Sequence, residues 1–152
     1  MEAKSELKVL AIGNSFSQDA STYVHQIAQA GGIQLKIVNL YIGGCPLERH
    51  WQNICDNKAD YDFQLNGEST GRMVSIDEIL KSDSWNFITL QQASHDSGKE
   101  ETYDPYLENT AAHVRKQCPG AELLIHQTWS YEPGYERLNL YGSEKAMFSA
   151  LK

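Results

Sequence analysis

Apolar positions along the chain alternate between two rhythms. Residues 8–13 are almost continuously apolar and stop on Gly13, the pattern of a strand covered on both faces. Ala20, Tyr23, Val24, Ile27 and Ala28 then recur at spacings of three and four before Gly31-Gly32. That periodicity predicts one helix with this face buried and His25 on its solvent side. A second apolar run, residues 35–42, ends at Gly43-Gly44, and the intervening helix is long enough to cross over between parallel strands.

From Cys45 to Arg72 the chain turns polar, and Asn66-Gly67 suggests a small hairpin inside an irregular excursion. Ser75-Ile76-Asp77-Glu78 matches a capping box for a short helix that buries Ile76, Ile79 and Leu80. A third strand is expected over residues 85–90, followed by a polar loop over residues 91–102. Asp104-Pro105 opens the next helix, Leu107, Ala111 and Val114 form its buried stripe, and Pro119-Gly120 closes it. Residues 123–125 are the fourth strand and run into His126-Gln127-Thr128-Trp129. Strand and helix in alternation predict a flavodoxin-like three-layer α/β/α sandwich, with a mostly parallel sheet, formed by one domain over residues 1–152. Ligands of such sheets sit beyond the carboxyl ends of the strands.

Composition narrows the function classes. With 152 residues and 41% apolar content the chain has room for one core. A net charge of −7 and a pI near 5.1, without clustered Lys or Arg, argue against nucleic acid and against an anionic membrane surface. No run approaches the ~18 apolar residues of a membrane span. Residues 1–8 lack the apolar stretch of a secretory leader, so the chain reads as mature or as one whose leader has been removed, and its compartment stays open. Cys45, Cys55 and Cys118 make no disulfide framework and are read as free thiols, and no His or Cys pair has the spacing of a metal site.

The candidate chemistry gathers at one edge of the predicted sheet. The first strand ends at Ser15, the second at Gly44, the third at Gln91 and Gln92, and the fourth at His126. Each has an ordinary reading by itself: a helix cap, a strand-ending glycine, a solvated loop, a hydrogen-bonded histidine. Together they suit acyl transfer, which needs a hydroxyl nucleophile, N–H donors aimed at the developing oxyanion, and glycine where backbone approaches substrate.

At these positions the chain resembles the SGNH hydrolases, the GDSL-type esterases. Gly13-Asn14-Ser15-Phe16-Ser17 is similar to the family's first block, with Asn where many members carry Asp, and residues 39–44 resemble the second block. The resemblance implies Ser15 as nucleophile and an oxyanion hole from the N–H groups of Ser15 and Gly44. Where the third block normally carries a Gly-x-Asn, this chain has Thr89-Leu-Gln-Gln-Ala-Ser94, so Gln92, or alternatively Gln91, is expected to supply the side-chain amide. The family's base and orienting acid lie in a later Asp-x-x-His block, and no such motif follows residue 126. The chain therefore reads as cut short, lacking the last strand and the catalytic histidine.

His126 is assigned to substrate contact, with a direct base role as the lesser alternative. Asn14, Gln91, Trp129 and His95 join it as candidate substrate-binding residues; as a base, His50 and His95, both read in loops over the same edge, rank below His126, and His113 is read as solvated. Trp51, Trp129, Tyr41, Tyr103 and Tyr131, mixed with Glu48, Asn53, Asp96 and Glu101, suit stacking on sugar rings, although the same aromatic residues would also serve to pack loops. The expectation is a serine ester hydrolase that removes a small acyl group, such as acetyl, from a carbohydrate or related small ester, without cofactor or metal. The alternatives are a catalytically silent carbohydrate-binding domain of the same fold and, last, a nucleotide or flavin binder, for which the first loop lacks lysine and glycine density.

Overall fold

Residues 6–152 are described by the computed structural model; residues 1–5, part of the stretch read for a leader, lie outside the described residues. In chain order the elements are β1 (Leu7–Gly13), α1 (Ser15–Ser21), α2 (Val24–Ala30), β2 (Leu35–Tyr41), α3 (Leu47–Cys55), β3 (Tyr61–Leu65), β4 (Glu68–Val74), α4 (Ile76–Leu80), β5 (Phe87–Leu90), α5 (Tyr106–Gln117), β6 (Glu122–Ile125) and α6 (Glu144–Ala150). Short 3-10 turns cover Glu100–Thr102 and Glu136–Leu140.

The first apolar run lies in the middle of the sheet because it is the segment most able to lose water on both faces. Six strands pair in the order β4-β3-β2-β1-β5-β6. β1 pairs in parallel with β2 and β5, and β5 in parallel with β6. The fold is α/β, and the alternation of strand and helix foretold its parallel centre. The chain steps from β1 to β2 in one direction and from β5 to β6 in the other. Right-handed crossovers therefore place α1 and α2 on one face, and α5 on the other.

Register separates the two faces. Leu10, Ile12, Val38, Leu40, Ile88 and Leu90 share one face and bury completely against Ile76, Ile79, Leu80 and Val114. Each such side chain contributes roughly 1.5–3 kcal/mol by leaving water. The opposite face carries Ala11, Ile37 and Asn39 beneath α1 and α2. Here the buried set includes a polar side chain, so this layer is held by hydrogen bonds as well as by apolar packing.

Several expectations are corrected. The excursion over residues 45–72 holds a helix, α3, and the antiparallel strands β3 and β4, which extend the sheet. The first crossover is two short helices. With Tyr23 as its N-cap, α2 restarts out of phase with α1, which leaves Tyr23 69% and Ile27 68% exposed. His25 turns towards the sheet instead, with Nδ1 2.6 Å from the Leu35 carbonyl. The break coincides with the docking of the Asn66-Gly67 hairpin tip, since a methyl group on Gly67 would strike the Thr22 backbone. His113 is not solvated; Nε2 lies 2.6 Å from Asp77 Oδ1 and ties α5 to α4. On α6, Met147 is fully buried and Phe148 half-exposed. All three cysteines are free thiols, and no helix among the described residues is long and apolar enough to cross a membrane.

The strand starts, opposite the edge where the candidate chemistry gathers, are fastened by charge. Asp83 sits 2.6 Å from Lys8 Nζ and 2.8 Å from Lys36 Nζ, joining the starts of β1 and β2 to the loop before β5. Hydrogen bonds from Lys36 and then Lys8 hold the Asp83 carboxyl well below its ordinary range. A carboxyl depressed in the folded state stabilises above its unfolded pKa of ~3.9, and that contribution disappears as pH falls through the folded value. Asp83→Asn is thus expected to lower stability at pH 7 by about 1 kcal/mol. In urea titrations the gap between variant and parent should close below roughly pH 4; a gap unchanged with pH would rule out the ion-pair account.

Candidate functional site

Ser15 is the first residue of α1. Its side chain is exposed, and its hydroxyl has no hydrogen-bond partner among the described residues. Gly13 must precede it, because a Cβ there would collide with Ser17 Oγ and Gln91 Oε1. The helix start leaves the Ser15 N–H without a partner among the described residues. After β2 the chain turns at Gly44, whose φ of +62° suits glycine and whose N–H is likewise unbonded. Two backbone donors and one exposed hydroxyl therefore stand at the carboxyl ends of adjacent strands.

Asn14 holds this edge together. Its Oδ1 accepts the Phe16 N–H at 3.2 Å and caps α1, while Nδ2 donates to the carbonyls of Cys45 at 3.3 Å and Gln92 at 3.4 Å. One side chain thereby ties the loops that follow β1, β2 and β5. At 1% exposure Asn14 cannot touch substrate, so its expected substrate-binding role is corrected to a positioning one. The departure from Asp also has its explanation here, because a carboxylate cannot donate to two carbonyls.

The expectation for Gln92 is also corrected. Its Nε2 donates to Thr102 O at 3.1 Å and Thr102 Oγ1 at 3.0 Å, and its Oε1 accepts the Leu47 and Ala93 N–H groups at 2.9 and 2.8 Å. No amide hydrogen is left for an oxyanion. In Gln91, Oε1 accepts the Asn14 N–H at 3.3 Å while Nε2 is buried without a partner. The unspent amide hydrogens belong to Gln91.

Ser15 opens on a cleft of about 540 Å³ lined by Phe16, Ser94, Trp129, Tyr131, Tyr135 and Arg137, together with Glu132 and Glu144. Trp129 is 52% exposed and packs at a tilt on Phe16, with ring centroids 4.2 Å apart. Tyr131 packs on Tyr135 at 5.0 Å, and its hydroxyl lies 2.8 Å from Ser94 Oγ. Sequence reasoning anticipated Trp129 and Tyr131 but missed Phe16, Ser94, Tyr135 and Arg137. The available signal was the density of aromatic residues in a segment without helical or strand periodicity.

The other expected residues lie elsewhere. His126 lines a separate cavity of about 720 Å³ with Gln92, Tyr103 and Thr128, and burial pushes its pKa down. His95 pairs with Asp96 at 3.3 Å, and Tyr103 is tied down by donating to the Ser97 carbonyl at 2.7 Å. His50 is not in a loop over the edge but fully buried on α3, with Nδ1 2.8 Å from the Tyr61 hydroxyl and 3.6 Å from Cys45 Sγ. Burial lowers His50 to about 3 and raises Cys45 to about 12, so both stay neutral behind the Gly44 turn. Among the described residues, no histidine lines the Ser15 cleft. No group of acidic, Cys or His side chains able to hold a metal ion occurs among the described residues.

This arrangement has relatives. The family described as a domain of unknown function, DUF4886, matches residues 8–149. A DUF4886 family protein from Bacteroides uniformis, known from a crystal structure, superposes with a TM-score of 0.88 at 36% identity, over 97% of this chain and 60% of its own. The present chain thus spans 60% of that relative's length. A protein from Slackia heliotrinireducens described as "a putative SGNH hydrolase" superposes with a TM-score of 0.63 at 21% identity, over 97% of this chain and 70% of its own, a likeness of fold. No curated protein matches the chain. On the extent of the family match and of the Bacteroides likeness, this chain belongs to the DUF4886 family.

Proposed function

We propose that the protein is a serine ester hydrolase of the SGNH type that removes a small acyl group, acetyl, from a carbohydrate or related small ester. The observation that carries the reading is the exposed, unbonded Ser15 hydroxyl on an aromatic cleft, at a strand edge where the Ser15 and Gly44 N–H groups are free. Ser15 Oγ attacks the ester carbonyl and loses its proton to a base. The carbonyl electrons move onto oxygen, where the two N–H donors hold the charge, and their return expels the sugar alkoxide, which takes up the proton. Water then releases the acyl group by the same steps. The SGNH-like fold of the Slackia protein supports the assignment. Neither glutamine adds to the hole: the Gln92 amide is spent on Thr102, and Gln91, 1% exposed with its Nε2 buried, is as closed off from substrate as Asn14, which corrects its expected substrate-binding role. Trp129 and Tyr135 offer ring faces for a sugar, and Arg137 and Glu132 offer partners for its hydroxyl groups. The base and its orienting acid are proposed to come from beyond the described residues, since no histidine lines the cleft.

That same lack favours a second reading, a silent carbohydrate-binding domain. A fluorophosphonate probe applied to the full-length protein separates the two, because it bonds only to an activated serine. Labelling mapped to Ser15 is expected; an unlabelled protein that still binds acetylated oligosaccharide would leave the binding domain as the answer.

A further inference from the structure

Ser94 leaves the sheet beside Ser15. Ile12 and Leu90 are partners in the parallel β1–β5 register, so Ser15 and Ser94 follow the carboxyl ends of adjacent strands, and both line the same cleft. The loop that carries Ser94 is tied to the start of α1, because Asn14 Nδ2 donates to the Gln92 carbonyl at 3.4 Å. Ser94 is half-buried, and its carbonyl accepts the Ser97 hydroxyl at 2.8 Å. Its own hydroxyl lies 2.8 Å from that of Tyr131.

Two hydroxyl hydrogens belong to this pair, and the bond between them uses one. Its direction is set from the Tyr131 side. The Arg137 guanidinium is hydrogen-bonded to Tyr131 and can only donate, so it takes a lone pair of the phenol oxygen. A phenol is a stronger acid than an alkanol, and a cation on its oxygen makes it a better donor and a poorer acceptor. Tyr131 therefore donates to Ser94, and the Ser94 hydrogen is left over. No other partner of that hydroxyl occurs among the described residues. Nor does Tyr131 need Ser94 to stay in place. Its N–H donates to Met147 Sδ at 3.2 Å, and its ring packs on Tyr135 with centroids 5.0 Å apart.

We propose that Ser94 is a further catalytic residue, whose hydroxyl donates to the ester carbonyl oxygen as negative charge develops there, and that Tyr131 is the positioning residue that frees this hydrogen for the cleft. The proposal rests on the hydrolase reading. It supplies a side-chain donor where the Gln92 amide is spent and the Gln91 amide is buried. The hydrogen stays on Ser94 throughout, so the step is a hydrogen bond and not a proton transfer. A hydroxyl that already accepts from Tyr131 is polarised towards its own acceptor, and that bond strengthens most where charge is greatest.

The test measures turnover of p-nitrophenyl acetate by the full-length protein carrying Ser94→Ala, Tyr131→Phe, or both. Each substitution removes one oxygen atom and leaves the ring packing in place. Ser94→Ala is expected to lose about a hundredfold in kcat with KM unchanged, as follows loss of one oxyanion donor. Tyr131→Phe keeps the Ser94 hydroxyl but no longer directs it, and should lose about tenfold, a part of that donor's effect. The double variant should be no slower than Ser94→Ala, because a residue acting through Ser94 then has nothing to act on. A parent kcat in Ser94→Ala, or a change in KM alone, overturns the catalytic role where Ser15→Ala is inactive. A parent kcat in Tyr131→Phe, or losses that multiply in the double variant, overturns the positioning role, and the first of these can be read even if Ser94→Ala does not fold. Parent turnover by Ser15→Ala would remove the hydrolase reading and the Ser94 role with it, a result seen without altering Ser94 at all.

Discussion

Ser15→Ala in the full-length protein is expected to abolish measurable turnover of p-nitrophenyl acetate while leaving the thermal midpoint within a degree or two of the parent. Removing a serine nucleophile costs on the order of 10⁶ in kcat where nucleophile and base act as a unit. The stability side follows from the structure: the Ser15 side chain is exposed and its hydroxyl has no partner among the described residues, so its loss leaves no buried group unpaired. The variant must also lose fluorophosphonate labelling. Turnover at the parent's rate would remove Ser15 from the chemistry and with it the SGNH reading, whatever the fold.

The largest effect on stability is expected one residue earlier. Asn14→Asp keeps size and shape, and its carboxylate can still cap α1, a position where Asp ranks with Asn. It cannot donate to the Cys45 and Gln92 carbonyls, which would then face a buried negative charge instead of an amide. An unpaired buried charge of this kind costs about 3 kcal/mol or more. The variant should therefore unfold at distinctly lower urea concentration at pH 7. Its deficit should also depend on pH. Burial and the two carbonyls raise the folded pKa of the new carboxyl above ~3.9, so the variant's stability is greatest below that pH and falls as pH rises through the folded value. Asn14→Ala, which loses the cap and both donors but buries no charge, is the control and should fall between the two. An Asn14→Asp protein as stable as the parent would show that Nδ2 does not hold the three loops.

These two neighbours illustrate how unevenly the site could be read in advance. The place of Ser15 between strand and helix was legible because its setting is local: an apolar strand, a glycine, and a helix start within a few residues. Gly44 was legible for the same reason. Asn14, by contrast, was read as a substrate contact and proved to be buried, because its role depends on two carbonyls brought to it by loops 31 and 78 residues away in the chain. The two glutamines show the same limit. Gln91 and Gln92 are neighbours of one type, and only the positions of Thr102, Leu47 and Asn14 decide which amide is spent. His50 and His113 were misplaced because burial and pairing depend on what a helix packs against.

The alternation of apolar runs and helical stripes by itself determined that the chain forms an α/β sheet with the nucleophile candidate at a strand's carboxyl end. Strand propensity, glycine at the turns and helix capping act over a few residues and are written in neighbouring positions. Tertiary structure alone decided the rest: the pairing of the β3–β4 hairpin onto β2, the two-helix crossover, and the separation of Ser15 and His126 into different cavities. Each of those outcomes depends on hydrogen bonds and packing between segments far apart in sequence. Their free energy appears only once the sheet has brought them within a few ångströms of one another.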